Sequence, residues 1–219
     1  MCVGREGWKI IKRMPATLEQ IKQHLDNLKQ CTRCPDMIGP VVTGNAVVSP
    51  VMLIGQAPGT REGPAGKPFA WTAGKTLFKW FRGIGLEEDA FRRRVYMAAV
   101  CRCFPGKHIK GGDRVPSREE IARCSLWLKA EFQLLNPQLV IPVGKLAITQ
   151  LMPATKLNNV VGVNHKVRIH EVTTDVVPLP HPSGASPWHR IAPGNQLLEK
   201  ALQIIQQHRA WKAICELKS

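Results

Sequence analysis

Two short corners and a set of thiols hold most of the side chains able to do chemistry. The first corner is Gly55-Gln56-Ala57-Pro58-Gly59, directly after the apolar run Val51-Met52-Leu53-Ile54. The second is His181-Pro182-Ser183, directly after Val176-Val177-Pro178-Leu179. Each apolar run reads as a buried strand, ended by Gly or Pro. Open α/β sheets bind ligands at the carboxyl ends of such strands, so the two corners are expected to face each other across a pocket. His181 can donate a hydrogen bond where negative charge collects on a leaving group; the plainer alternative is a structural histidine. Gln56 can orient a water but cannot take its proton at neutral pH; the plainer alternative is a loop residue capping backbone groups. Phe69, in Gly66-Lys67-Pro68-Phe69, offers a flat face to a planar ring, or ordinary core packing.

The chain has seven cysteines. Cys31 and Cys34 have the two-residue spacing of a ligand pair, which a redox pair also shows. Cys103 follows a strand and Cys124 opens a helix, positions that can be neighbours in space. A four-thiolate site of Cys31, Cys34, Cys103 and Cys124 would hold zinc or an iron–sulfur cluster and pin the N-terminal helix to the body of the fold. The alternative makes Cys103 and Cys124 small core residues, and Cys101 is open as a substitute for Cys103. An odd number of cysteines and no hydrophobic leader argue against a disulfide framework. Cys2 and Cys215 look incidental.

The elements that must position these groups alternate. Thr17 and Gln20 form a capping box before a helix with Leu18, Ile21, Leu25 and Leu28 on one face. Residues 38–50 read as a turn and a short edge strand. A long Gly- and Pro-rich loop, 56–72, is of the kind that carries function. A helix over 73–84 and a strand over 95–100 follow. Ser117 and Glu120 form a second capping box, before a helix presenting Ile121, Cys124, Leu128, Phe132 and Leu135. A strand over 139–143, a helix over 145–151, one or two short strands within 160–172, a fourth central strand at 176–179 and a last helix from about 195 to the C-terminus, polar at its end, complete the chain. Strands alternating with helices predict a parallel sheet covered on both faces. One domain is expected over 1–219, with 1–16 an extension and 208–219 a tail.

With a formal net charge of +15 and 44% hydrophobic residues, the chain is globular, and its basic excess favours a polyanion, nucleic acid before a membrane surface. No apolar run is long enough to cross a membrane. A soluble, cytoplasmic, nucleoid-associated monomer is expected.

The two corners, Gly66-Lys67-Pro68-Phe69 and the four cysteines, in this order, resemble the uracil-DNA glycosylase superfamily, and most of all its iron–sulfur branches, families four and five. The resemblance spans roughly 31–207. It implies a three-layer αβα sandwich on a four-stranded parallel sheet, and a [4Fe–4S] cluster in place of zinc. It also implies DNA repair by hydrolysis of the N-glycosidic bond of a flipped-out uracil in single- or double-stranded DNA. On that reading Phe69 stacks on the base, and His181 meets the charge on its oxygen. Gln56 places the water, and Gly55, Ala57, Pro58, Gly59, Ala99 and Ser183 complete the pocket. The loop after the second corner would enter the minor groove, with Pro187 or Trp188 as wedge and Arg190 as a phosphate or base contact. Lys107 and Lys110 would hold phosphates. Gln56 stands where family four has Glu, and Ala99 where it has a uracil-reading Asn. That leaves room for other deaminated bases. The competing reading is an iron–sulfur nucleic-acid-binding protein whose activity is lost, or altered to a covalent link with DNA through His108.

Overall fold

A computed structural model describes residues 16–109, 111–153, 156–184 and 186–217. The two capping boxes form as the sequence predicts. Thr17 and Gln20 exchange hydrogen bonds at the start of α1 (Leu18–Lys29). Ser117 and Glu120 do so at the start of the long helix Arg118–Leu135. Both patterns tie down N–H groups that a helix start leaves unpaired.

The sheet has five strands: β1 (Val51–Gly55), β2 (Tyr96–Ala99), β3 (Leu139–Pro142), β4 (His165–Ile169) and β5 (Val172–Val176), in the order β2-β1-β3-β5-β4. The first four positions in that order are parallel, as expected, but β4 adds an antiparallel edge. The four-stranded expectation is corrected here, and the cause is local. His170 and Glu171 both have positive φ, 46° and 71°, the conformation of a two-residue hairpin turn, so the chain folds back on itself. Lys166 and Arg168 are exposed on β4, and charges on an edge strand discourage further pairing. The fourth parallel strand also begins earlier than 176, although Leu179 still bridges Val143. Residues 38–50 form no strand; Ile38 only bridges Phe104, with Val42 bonded to Arg102.

Successive strand residues face opposite layers. Val51 and Leu53 pack toward α3 (Thr72–Arg82), α4 (Glu88–Arg94), α7 (Gly194–Gln207) and α8 (Arg209–Cys215). Met52 and Ile54 pack toward α1 and α5 (Arg118–Leu135). The short helices α2 (Glu62–Ala65) and α6 (Lys145–Leu151) complete the order. This is the αβα sandwich. Helix α4 was not foreseen. The segment from 208, expected as a tail, folds instead: Trp211 of α8 is buried, stacks on Phe81 at 5.4 Å and donates its indole N–H to the Ile84 carbonyl.

Candidate active site and cysteine cavity

The carboxyl ends of β1 and β2 and the chain after β5 open into one cavity of about 710 Å³. Gly55, Gln56, Ala57, Pro58, Gly59, Phe69, Ala99, His181 and Ser183 all line it, so the two corners meet as expected. Gly55 pairs with Ala99 in register. The pairing runs on past the strands: Val100 N–H donates to the Gly55 carbonyl and Cys101 N–H to the Gln56 carbonyl, each at 3.0 Å. The Gln56 backbone is thereby fixed.

Phe69 sits in the left-handed region, φ 54°, which is costly for an aromatic residue. Two charged side chains hold it there. Arg92 donates to the carbonyls of Pro68 (2.9 Å) and Phe69 (3.3 Å). The Glu62 carboxylate accepts the Gly59 N–H at 3.2 Å and is near enough to the N–H groups of Phe69 and Ala70 for them to favour its charged form. Burial raises the Glu62 pKa; those N–H groups and Arg92 oppose it. A β-carbon on Gly55 would lie 3.1 Å from the Phe69 ring, so glycine is what lets the ring lie across the strand end. Neither Glu62 nor Arg92 was foreseen. The signal for Glu62 was a lone carboxylate in a functional loop; for Arg92 there was none, since its helix carries adjacent arginines.

The His181 Nδ1 accepts the Ser183 N–H at 3.2 Å. The proton of the neutral ring therefore sits on Nε2. Burial, and then the nearby His189, lowers the His181 pKa, so the ring is neutral at pH 7. The ring packs on Gly144, whose β-carbon would come within 3.0 Å of Cδ2. His189, a further histidine the sequence did not single out, is buried against Trp80 at 5.3 Å.

The loop after the second corner is arranged differently from expectation at one residue. Trp188 is not free: its indole N–H donates to Asn158 at 2.8 Å and its ring packs on the core. Pro187 and Arg190 are exposed. Lys107 lines the pocket but pairs with Asp113 at 2.6 Å. His108 is exposed on the same turn. Lys110 lies outside the described residues.

Cys31, Cys34, Cys103 and Cys124 line a second cavity, of about 370 Å³, with Arg102 in its wall. Cys101 does not line it; it is fully buried behind and hydrogen-bonds to Cys124. That bond, from the Cys101 thiol, lowers Cys124 to about 7. Burial pushes Cys103 up to about 11, and the neighbouring Cys124, Cys31 and Cys34 add to it. Raised pKa values hold Cys34 and Cys103 toward the neutral thiol, and a cationic group in the shared space would favour their thiolates. Among the described residues no three His, Cys, Asp or Glu side chains are arranged to hold one metal ion. Four thiolates on one zinc would have to converge within about 2.3 Å of it. Four cysteines facing one cavity are a donor set for zinc or for an iron–sulfur cluster.

Arg102 lines both cavities and is buried. It pairs with Glu131, which also accepts from Tyr96 at 2.7 Å and contacts His24 at 3.3 Å. This network was not read from the sequence, where Glu131 sits among exposed-looking helix residues.

The family profile of the uracil DNA glycosylase superfamily matches residues 42–206. Among curated relatives, a type-4 uracil-DNA glycosylase of Pyrobaculum aerophilum is 30% identical over 71% of this chain and 79% of its own length. A type-4 uracil-DNA glycosylase of Thermotoga maritima is 28% identical over 61% of this chain and 66% of its own length. A type-5 uracil-DNA glycosylase of Pyrobaculum aerophilum is 26% identical over 56% and 65%.

Proposed function

The chain belongs to the uracil DNA glycosylase superfamily, and on that premise we propose that it is a DNA repair enzyme hydrolysing the N-glycosidic bond of a uracil flipped out of DNA, leaving an abasic site. The observation that carries this is the meeting of Phe69, Gln56 and a neutral, Nε2-protonated His181 around one pocket. A base inside the duplex is out of reach, so it must swing into such a pocket. There Phe69 stacks on its face.

Cleavage moves the C1′–N1 electron pair onto the base. Positive charge develops on the sugar and negative charge on the base oxygens. The His181 Nε2–H donates to that oxygen, and the Ser183 N–H keeps the proton on the donating nitrogen. A donor fixed before the reaction stabilises the transition state without reorganising. Water held by the Gln56 amide then adds to C1′, and its proton goes to the departed base anion. No carboxylate stands at 56 or 57 to accept it, so bond breaking runs ahead of water attack.

Cys31, Cys34, Cys103 and Cys124 would hold a [4Fe–4S] cluster, which when bound would anchor the loops around it and supply no step of the hydrolysis. The protein acts as a single domain and a single chain, since every group used above comes from one sheet end. Ala99 presents only a methyl group where a base-reading amide would stand, which favours a base range wider than uracil. The test is base release from matched oligonucleotides carrying uracil, hypoxanthine or xanthine, single-stranded or opposite each base, with alkali to reveal abasic sites. Release of uracil is expected. No release at enzyme excess would leave the DNA-binding reading, and a denaturant-resistant complex would direct attention to His108.

A further inference from the structure

The aromatic ring left in solvent at the pocket mouth is Trp71. It lines the same cavity as Phe69 and His181 and is 55% exposed. Trp211 is buried in the core and Trp188 is tied to Asn158. The exposure of Trp71 is therefore not a lack of places to put tryptophan. Nor is the position loose. Trp71 is the N-cap of α3, two residues after Phe69, and Gly74 in the first turn packs so closely on the Phe69 carbonyl that a β-carbon there would come within 1.8 Å. The Trp71 backbone is thus held at a set step from the ring that faces the base. The Arg61 guanidinium lies 5.3 Å from its centroid and lines the same cavity.

A flat, exposed indole beside a cation suits a second nucleobase, because every base has a π-face and each is tethered to a phosphate. We infer that Trp71 and Arg61 form a subsite for the nucleotide adjacent to the flipped one in single-stranded DNA, the base stacking on the indole. The inference rests on the glycosylase reading above. Stacking of one base on an aromatic side chain corresponds to roughly a 5- to 150-fold change in affinity.

The test uses single-stranded oligonucleotides with one uracil, in which the 5′ or the 3′ neighbour is either a normal nucleotide or a tetrahydrofuran spacer without a base. The specificity constant kcat/KM is measured for the wild type, Trp71→Ala and Trp71→Phe, with thermal unfolding to confirm that each folds. The wild type should lose roughly 5- to 150-fold on one of the two spacers. Trp71→Ala should already be that much weaker on the full strand and lose no more on that spacer. Trp71→Phe should retain most of the effect. A wild type indifferent to both spacers, or a Trp71→Ala enzyme that responds to them as the wild type does, overturns the subsite. If the wild type releases no uracil at all, the glycosylase reading fails. The subsite is then judged by tryptophan fluorescence on a uracil-free strand, where quenching present in the wild type and absent from Trp71→Phe supports it and equal quenching overturns it.

Discussion

Replacing Glu131 by Leu should cost more than any surface change in this protein. Glu131 is fully buried, and its carboxylate is the counter-charge of Arg102, itself 2% exposed. Burial alone would raise the Glu131 pKa, but Arg102, His24 and Tyr96 together bring it below the ordinary carboxylate range. Leucine removes the charge and leaves the Arg102 guanidinium buried without it, and the Tyr96 hydroxyl without its acceptor. Arg102 Nε already has no partner. Breaking a buried pair from one side costs about 3–5 kcal/mol, and a chain of this size moves about 2–4 °C per kcal/mol. The midpoint of thermal unfolding should therefore fall by about 6–20 °C. Because Arg102 also walls the cysteine cavity, visible absorbance per chain should fall with it. Differential scanning calorimetry and iron analysis on the same preparation read both. A midpoint within about 2 °C of wild type would refute the argument, because it would mean that Arg102 finds water or another anion as easily as it finds Glu131.

His181→Ala should lower the rate of base release by roughly 10²–10³-fold while DNA binding, read by fluorescence anisotropy, stays near wild type; equal loss of both would make His181 a structural residue. Ala99→Asn should narrow the base range, raising the ratio of uracil to hypoxanthine release in the same oligonucleotide panel, and an unchanged ratio would mean that the methyl group does not face the base. Cys34→Ala should lower iron content and soluble yield, and a brown, stable, fully active variant would remove Cys34 from the thiolate set. Stability should fall on acidification through the histidine range. His181 and His189 have lowered pKa values, burial being the first cause for each, so the unfolded chain binds protons first. Their contribution is complete above about pH 6.5 and is lost as pH falls below it; urea midpoints at pH 7.5 and 5.5 measure this, and no difference would count against neutral buried rings.

How much of this was legible depended on whether the signal was local. The capping boxes of α1 and α5, the strand-ending corners at Gly55 and His181, and the two-residue spacing of Cys31 and Cys34 are short patterns. Each reports a backbone event within a few residues, and each stands where expected. A short strand within 160–172 is present as β4, but its antiparallel place in the sheet was not legible, because His170 and Glu171 carry no turn signature such as Asn-Gly; tertiary packing makes both accept positive φ. The polar end of the last helix reads as a tail, whereas the Phe81 and Phe91 rings bury Trp211 and make α8 a separate packed helix. Glu131 and Arg92 were invisible for a related reason. A charged residue in a helix reads as a solvated face until the residue it meets, Tyr96 on β2 or Phe69 in the loop before α3, is known. Trp188 shows the converse: an isolated tryptophan in a polar loop reads as exposed, while Asn158, thirty residues earlier in the chain, accepts its indole N–H.

The segment from Ala99 to Cys103 explains why the cysteine cavity lies where it does. Ala99 faces the pocket, and the Cys101 N–H holds the Gln56 carbonyl. Arg102 walls both cavities, and Cys103 faces the thiols. Five consecutive residues thus form the partition between the two sites. Extended chain at the end of an edge-side strand is otherwise prone to local opening, because few backbone bonds hold it. Here it is fastened on one side by β1 and by Glu131 beneath. A group bridging Cys103 to Cys31, Cys34 and Cys124 would fasten the other side. Gln56 has no carboxylate with which to pull a proton from water, so its contribution is the placement of that water, and placement degrades steeply with small displacements. A catalytic loop that works by position needs a partition that does not move, and thiols on three separate segments, after α1, after β2 and in the first turns of α5, would let one bound group fix it.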